Sequence, residues 1–411
     1  MTRARTGWTV MGMVWTFDLF VWVSAFSIGV LLPKMREDMH IADWQAGLLG
    51  SSFFLVFFAL SIPTSIWLSR LRPKTVIFYS ALATGGFVLL QGFAHGYAML
   101  LTARFGFVIA ATARNAMVPL LMQQWFDARR IPLLNSIFNG VTGLGQVLVL
   151  GLSPYLLLVT SWRAIYWIDG GGLLLLGLVW LMYGQDRESP EHPATLGRQT
   201  GRSPLGVIWR EKALWLAAGA QMGVAFAGSS VMTFWPTYAK DERHFALTTI
   251  GNVMLSNPIF MVIGSAFTGV AMRLVPKRKV LLIVPWLTLP LVFLGVIYVK
   301  SIPVLVLLFA VNGLAQAMTL PVLMSVPYQL GLSQREVSVA TGHMRTFVPL
   351  GGALGPLFVG LVAGATSLRV AMTIACPLAL SLVVFSRFLP DRPPEVSTVG
   401  VAGPQPALDA E

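Results

Sequence analysis

The amino-acid sequence predicts an all-α membrane protein whose twelve transmembrane helices form two pseudo-symmetric bundles of six. Three observations lead to this fold class. Of the 411 residues, 55% are apolar and only 11% are charged, and the mean hydropathy is +0.72. The apolar residues fall into twelve runs that are each long enough to cross a bilayer. The first half of the chain also resembles the second half.

The composition excludes several classes of protein. A soluble globular chain carries about 25% charged residues, so this chain has too few to cover the surface of a water-soluble enzyme. The single cysteine, Cys376, excludes a small secreted protein held together by disulfides. The net charge of +12 comes from short basic clusters between apolar runs, which is typical of membrane proteins. We therefore expect a lipid bilayer, and no nucleic acid, as a partner.

The twelve predicted spans follow from length, because a helix needs about 20 mostly apolar residues to cross a hydrocarbon core of about 30 Å. The first span follows Arg3 and Arg5 but is longer than the apolar region of a signal peptide. It has no cleavage motif behind it, so we expect it to be retained. In chain order the predicted spans are 10–32, 47–68, 75–94, 99–122, 133–156, 164–183, 213–235, 247–272, 280–299, 304–326, 337–362 and 370–388.

The long polar stretches divide the chain into four predicted parts. The central stretch is rich in Pro, Gly and Ser and reads as a flexible linker, and the carboxyl-terminal tail is rich in Pro, Gly and Ala. The predicted parts are a six-helix bundle at 1–184, a cytoplasmic linker at 185–212, a second six-helix bundle at 213–389 and a disordered cytoplasmic tail at 390–411.

The distribution of positive charge predicts the orientation. When the amino terminus is placed in the cytoplasm, nineteen Lys and Arg residues lie on the cytoplasmic side and seven on the outer side. Positively charged connections remain in the cytoplasm. The sequence therefore predicts a multi-pass protein of the cell inner membrane with both termini in the cytoplasm.

The two halves repeat the same motifs in the same order. Separations of 202 to 206 positions relate matching loops and helices. Such a repeat, with six helices of the same topology in each half, predicts two bundles related by an axis along the membrane normal. The matching pairs are Leu32-Pro33 with Trp235-Pro236, Arg70–Lys74 with Arg273–Lys277, Pro119–Met122 with Pro321–Met324, and Thr160–Arg163 with Thr366–Arg369.

These motifs resemble those of the major facilitator superfamily of secondary transporters, and the resemblance covers nearly the whole chain. The Arg70–Lys74 cluster lies where that family carries Gly-x-x-x-Asp-Arg-x-Gly-Arg-Arg, although Ser65 and Ser69 replace its Gly and Asp. Trp162-Arg163 is similar to the Gly-Trp-Arg motif that precedes the sixth helix. Arg104 matches the arginine that opens the fourth helix.

The resemblance implies the major facilitator fold, with a central cavity lined by the first, fourth, seventh and tenth helices and with the fifth and eleventh alongside. It implies alternating access, in which the two halves rock about a site in the middle of the membrane. We assign gating or structural roles to Arg70, Lys74, Arg273, Lys277, Arg104 and Arg163.

Three ionisable residues lie well inside predicted spans, where a charge costs several kcal/mol unless it faces protein or water. Asp18, Arg114 and Arg345 each lie about 12 Å from an end of their span, at 1.5 Å per residue. In the repeat they correspond to polar residues as well, which are Gln221, Gln316 and Asn139, respectively.

We interpret this set as a site for an anion. Arg114 and Arg345 would bind a carboxylate, because a guanidinium group matches it with two hydrogen bonds and keeps its charge. Gln221, Gln316 and Asn139 would add hydrogen bonds, and Asp18 would carry a coupling proton. Other interpretations remain open: Asp18 and Arg114 form a permanent ion pair within one bundle, or Arg345 extends to the interface and contacts no substrate.

The sequence carries neither a nucleotide-binding loop nor histidines at metal-ligand spacing. We therefore expect no enzymatic activity and no cofactor. We also expect the protein to be a monomer. The preferred hypothesis is a secondary active transporter that moves a small carboxylate-type anion by proton symport. One alternative is proton-coupled efflux of a hydrophobic or cationic compound. The other is a membrane sensor or assembly subunit that does not transport.

Overall fold

A computed structural model describes residues 3–68, 71–126, 130–185, 206–275, 278–330, 332 and 334–389. All regular secondary structure in these residues is helical. The helices are α1 (Arg3–Met39), α2 (Asp43–Leu68), α3 (Pro73–Gly92), α4 (Tyr97–Asn115), α5 (Val118–Trp125), α6 (Ile131–Val159), α7 (Trp162–Tyr183), α8 (Gly206–Arg210), α9 (Lys212–Asp241), α10 (Leu247–Leu274), α11 (Ile283–Tyr298), α12 (Ile302–Met324), α13 (Gln334–Ala365), α14 (Leu368–Ala375) and α15 (Ser381–Arg387). Short 3-10 segments lie at Arg278–Leu282, Val326–Gln329 and Cys376–Leu380.

The described residues contain twelve helical spans that are long and apolar enough to cross a membrane, which confirms the predicted fold class. The fourth span joins α4 and α5, and the twelfth joins α14 and α15. Most of the predicted linker and all of the predicted tail lie outside the described residues, so the predicted limits of these parts stay predictions.

Proline explains the interruption of the fourth span. Pro119 lies in the first turn of α5, where it needs no hydrogen-bonded N–H. Its ring would clash with the carbonyl group of the residue four positions earlier, which is Asn115, the last residue of α4. Arg114 therefore lies in the last turn of α4, where the helix dipole favours a positive charge.

The internal repeat is visible at the ends of corresponding helices. His40 and His244 follow α1 and α9 and have left-handed backbone angles, with φ of 52° and 57°. Ser161 and Ser367 cap α7 and α14 by accepting hydrogen bonds from Ala164 and Val370 backbone N–H groups. Each member of a pair plays the same part in its own half, as the sequence repeat predicts.

The arginines that follow the two caps also correspond. Arg163 forms an ion pair with Asp38, donates to the Ala94 carbonyl at 3.2 Å, and lies over the Trp162 ring at 4.4 Å. In the second half, Arg369 forms an ion pair with Glu242 at 2.8 Å. Each arginine ties the start of the sixth helix of its bundle to the end of the first.

Because consecutive spans alternate in direction, the start of α1 and the end of α15 lie on one side of the bundle, which we call the terminal side. On the opposite side the two bundles approach closely through glycine. A Cβ atom at Gly47 would lie 2.5 Å from the Pro356 carbonyl oxygen, and one at Gly360 would lie 2.5 Å from that of Asp43. These contacts bring the backbones of α2 and α13 together because glycine has no side chain.

Helices α6 and α10 show that the bundles diverge toward the terminal side. On the opposite side, a Cβ atom at Gly251 would overlap Pro154. Closer to the terminal side, a Cβ atom at Gly143 would lie 3.6 Å from Val262, and one at Gly140 would have no described atom within 4 Å. The space between the bundles is therefore closed on the opposite side and opens toward the terminal side.

An ion pair between the bundles accompanies this closure. Lys240 at the end of α9 binds Glu37 at the end of α1, and Glu37 also accepts from Lys34 at 3.0 Å. Both partners of the pair are partly exposed, so its contribution to stability is modest, about 0–1 kcal/mol. It joins the bundles at the opposite side of the molecule.

Candidate functional site

A cavity of about 330 Å³ lies between the two bundles. Its lining comes from α1, α2, α4 and α6 of the first bundle and from α9, α10, α12 and α13 of the second. Most of the lining residues are apolar. The polar ones are Arg104, Gln146, Gln221, Ser229, Thr233, Asn257, Gln316 and Thr319.

The repeat extends into the cavity wall. Four lining residues of α1 each correspond, at a separation of 203 positions, to a lining residue of α9. The two helices therefore present equivalent faces to the cavity. The pairs are Ala25 with Gly228, Phe26 with Ser229, Gly29 with Met232, and Val30 with Thr233.

Arg104 is the charged side chain of the described cavity lining. It is 1% exposed, and its two terminal nitrogens donate to the carbonyl oxygens of Ser24 and Ala25, each at 2.7 Å. The Nε atom has no hydrogen-bond partner. The ion pairs of the described residues do not include Arg104. Arg104 therefore lies in the cavity wall with no carboxylate at ion-pair distance among the described residues.

Behind Arg104, polar contacts hold α1 against α7. The Ser24 hydroxyl donates to the Asp169 carboxylate, and the hydroxyls of Ser27 and Tyr166 share a hydrogen bond at 2.8 Å. Ser24 thus links Arg104 of α4 to Asp169 of α7 through its carbonyl and its hydroxyl. The sequence predicts a gating or structural role for Arg104. In the structure this residue connects α4 to α1, and it also lies in the cavity wall.

Arg114 lies elsewhere than predicted. It forms an ion pair with Asp18, both side chains are 0% exposed, and neither residue lines the cavity. Arg114 also donates to the Asn115 side chain at 2.8 Å and lies over the Phe17 ring at 5.0 Å. In this conformation Arg114 lies in an ion pair and outside the described cavity lining, and its predicted contact with a substrate stays a prediction. The alternative interpretation, an ion pair between α1 and α4 of one bundle, describes the structure.

Arg345 lies near the entrance of the cavity. It is exposed and belongs to the helical face that also carries Val348 and Gly352, three and seven positions further along α13. Val348 and Gly352 line the cavity, whereas Arg345 lies one turn closer to the terminal side. Arg345 thus shares a helical face with Val348 and Gly352 but lies outside the described lining.

The two predicted glutamines line the cavity. Gln221 of α9 is 4% exposed, and neither its amide nitrogen nor its amide oxygen has a hydrogen-bond partner. Gln316 of α12 donates to the Asn312 side chain at 2.8 Å. Because buried polar atoms are normally hydrogen-bonded, the free amide of Gln221 marks a place for a polar group of a ligand.

Gln146 of α6 and Asn257 of α10 also line the cavity, and neither is among the predicted site residues. The predicted residues of the cavity are ionisable groups and their counterparts in the repeat, and these two amides belong to neither group. The signal that identifies them is an amide side chain inside an otherwise apolar span, since such a group needs a partner there.

Several predicted residues are described in part. Lys74 lies at the start of α3, where its carbonyl group accepts from the Trp180 ring N–H at 3.0 Å. Arg70 and Lys277 lie outside the described residues, as do the side chains of Arg273 and Asn139. The roles predicted for these residues therefore stay predictions.

Comparison with known proteins decides the family. The sequence model of the Major Facilitator Superfamily matches residues 14–251 and 217–409, which together span nearly the whole chain. The chain belongs to this superfamily. Its fold agrees, because a bacterial homologue of the human lysosomal transporter Spinster, solved in an inward-facing and unoccupied conformation, superposes with a TM-score of 0.79. That match covers 94% of this chain and 98% of the other at 14% identity.

Superfamily members of similar sequence are named as transporters of organic acids. The protein named "Probable sulfoacetate transporter SauU" from Cupriavidus necator is 21% identical, and the match covers 67% of each chain. The protein named "Hexuronate transporter" from Bacillus subtilis is also 21% identical, over 61% of each chain. The chain thus matches about two thirds or less of the length of these relatives.

Proposed function

We propose that this protein is a secondary active transporter that moves a small carboxylate-type anion across the cell inner membrane by alternating access. The observation that carries the proposal is the unbalanced charge of Arg104 in the wall of the cavity. A buried cation without a counter-charge is costly, and an anionic ligand supplies the missing charge.

The shape of the molecule supports alternating access. The cavity lies between the two bundles, and the bundles are closed on one side and diverge on the other. The distribution of Lys and Arg favours the cytoplasm for the terminal side. We therefore propose that this conformation opens to the cytoplasm and that the ion pair of Glu37 and Lys240 closes the outer side.

The names of the relatives support an anionic cargo. Sulfoacetate and hexuronates, for which the two relatives above are named, each carry a carboxylate group. A positive charge in the cavity opposes the binding of a cation, so the site also argues against efflux of cationic compounds.

We assign the substrate contacts as follows. Arg104 binds the carboxylate through N–H groups that the α1 carbonyls leave free. Gln221 and Gln316 of the second bundle, and Asn139 of α6, donate or accept hydrogen bonds. Arg345 attracts the anion at the entrance. In this proposal the substrate contacts both bundles. Its binding changes the free-energy difference between the conformations that open to the two sides of the membrane.

We propose proton symport with Asp18 as the proton carrier. Two links join α1 and α4, namely the ion pair of Asp18 with Arg114 and the bonds from Arg104 to the α1 carbonyls. Protonation of Asp18 removes the first link, and a substrate carboxylate competes for the second. Proton and substrate thus act on the same pair of helices, which is what coupling requires.

Uptake by the full-length protein in proteoliposomes tests the proposal. Labelled carboxylates should accumulate in response to an imposed proton gradient, and Arg104→Gln should abolish uptake. Arg130→Gln is the matched control because Arg130 is exposed at the start of α6, outside the cavity lining. Anion uptake that is unchanged in Arg104→Gln would contradict the proposal, as would transport of cations alone.

A further inference from the structure

The cavity presents different chemistry in its two halves. Among the described residues that line the cavity, the charged one is Arg104, which lies in the first bundle. In the second bundle the described polar residues of the lining are neutral; they are Gln221, Ser229, Thr233, Asn257, Gln316 and Thr319. One anionic group therefore balances the cavity, and a second one would lie among amides and hydroxyls without a counter-charge.

Aromatic rings of the first bundle form part of the cavity wall. Phe26 of α1 stacks on Trp22 with ring centroids 5.5 Å apart, and Trp22 also packs against Phe53 of α2 at 5.5 Å. Phe53 in turn contacts Phe54 edge-on at 5.6 Å. Three of these rings, Phe26, Phe53 and Phe54, line the cavity. Their mutual contacts hold them in place, so the wall is formed before a ligand arrives.

The second bundle also contributes apolar side chains to the lining, beside its polar ones. It presents the thioether side chains of Met232, Met254 and Met261 together with Leu320. Methionine sulfur makes favourable contacts with aromatic rings and adapts to their shape. A hydroxyl group placed between these methionines and the phenylalanines would lose its bonds to water without gaining others.

Several polar side chains of the second bundle already donate hydrogen bonds within their own helices. Ser229 and Thr319 donate to backbone carbonyls, and Gln316 donates to Asn312. Gln221 has a free amide nitrogen and a free amide oxygen, and the Asn257 amide reaches its own acceptor, the Phe309 carbonyl, only at 3.5 Å. These two amides therefore retain hydrogen-bonding capacity for a neutral polar group of a ligand whose anionic group lies at Arg104.

From this arrangement, and resting on the proposed function, we propose that the preferred cargo is an amphipathic monoanion. It has one carboxylate, an aromatic or branched aliphatic body, and at most one neutral polar group at the other end. This class differs from hydroxyl-rich sugar acids and from dicarboxylates. The volume of about 330 Å³ is sufficient for one such molecule of the size of phenylacetate.

Ligand-dependent unfolding temperatures of the purified full-length protein test this ranking, because a ligand that binds the folded state raises its stability. We would compare phenylacetate, 4-hydroxyphenylacetate, glucuronate and tartrate at equal pH and ionic strength. Phenylacetate and 4-hydroxyphenylacetate should bind with apparent Kd values at least tenfold lower than glucuronate and tartrate. Tighter or equal binding of glucuronate or tartrate would overturn the proposal.

Variants separate this proposal from the proposed function. Phe26→Ser should reduce the preference for phenylacetate over glucuronate by about tenfold, whereas Phe26→Leu and the exposed control Phe93→Ser should preserve it. If tartrate binds best and Arg104→Gln abolishes that binding, the cargo class is wrong and the anion transporter stands. If no anion binds in an Arg104-dependent manner, the proposed function itself is wrong.

Discussion

The guanidinium group of Arg114 is bound to the carboxylate of Asp18, and both groups are completely buried between α1 and α4. Two opposite charges in contact at this depth compensate each other within one bundle, so neither needs a ligand. Ten residues earlier in the same helix, Arg104 has no such partner. This difference between two arginines of α4 is the reason why we propose Arg104, rather than Arg114, as the substrate contact.

The ion pair of Asp18 and Arg114 should contribute to the stability of the folded protein. Asp18→Asn or Arg114→Gln alone should lower the free energy of unfolding by about 3–5 kcal/mol, because each leaves a buried charge without its partner. The double variant should be less destabilised than the sum of the single ones. Chemical denaturation in detergent measures this, and Arg369→Gln, which breaks an exposed pair, is a control that should cost about 0–1 kcal/mol. Additive losses would contradict the pairing.

We propose above that proton coupling depends on the same carboxylate. Asp18→Asn cannot exchange a proton at this position, so accumulation driven by a proton gradient should disappear while exchange of internal for external substrate survives. Both are measured with the same labelled anion in one proteoliposome preparation. Undiminished pH-driven accumulation in Asp18→Asn would mean that another group carries the proton.

Arg104 should not be replaceable by lysine. The guanidinium group donates to two carbonyls at once and retains further N–H groups for a carboxylate, whereas an ammonium group offers three donors from one atom. We expect Arg104→Lys to weaken anion binding by at least tenfold, although it keeps the charge. Direct binding measurements check this, and full affinity in the lysine variant would show that charge alone is sufficient.

The glycine contacts on the side opposite the termini predict a conformational effect. A leucine at Gly47 cannot fit against the Pro356 carbonyl, so Gly47→Leu should shift the protein toward a state open on that side. Spin labels at positions 37 and 240 should then lie further apart. The single native cysteine, Cys376, is buried and leaves little background labelling. Gly364→Leu, which meets no described atom within 4 Å, should leave the label distance unchanged.

The pair of Glu37 and Lys240 should bias the same equilibrium more weakly. Lys240→Glu places two negative charges together and should favour separation of the bundles, and Glu37→Lys combined with Lys240→Glu should restore the closed side. Because the partners are partly exposed, we expect a shift of about 0–1 kcal/mol that decreases with added salt. A salt-independent shift, or a failed charge reversal, would show that the pair has no such effect. Solvent accessibility of a cysteine that replaces Val30, which lines the cavity, measures the shift.

The sequence predicts the fold well because membrane helices obey simple one-dimensional rules. Length and hydrophobicity are sufficient to define the twelve spans, and the sequence repeat pairs Ser161 with Ser367, which cap equivalent helices in the structure. Depth along a helix follows from the rise of 1.5 Å per residue. Gln221 and Gln316 were therefore expected at the depth where the cavity lies.

The direction in which a side chain leaves its helix is harder to predict. Arg104 and Arg114 belong to one helix, but Arg104 lines the cavity and Arg114 faces Asp18. That choice depends on how α1 and α4 pack against each other, and periodicity alone does not reveal it in spans that are apolar on all sides. The partners of Arg104 are also backbone carbonyls, which every residue possesses and which no sequence motif marks.

The glycine seam between α2 and α13 has a consequence for evolution. In the proposed transporter, cavity residues contact cargo through side chains that selection can exchange for others, whereas Gly47 and Gly360 fit only because they have no side chain. A comprehensive mutational scan should therefore show lower tolerance along this seam than around the cavity. Descendants of this chain would acquire new cargoes readily while preserving those glycines.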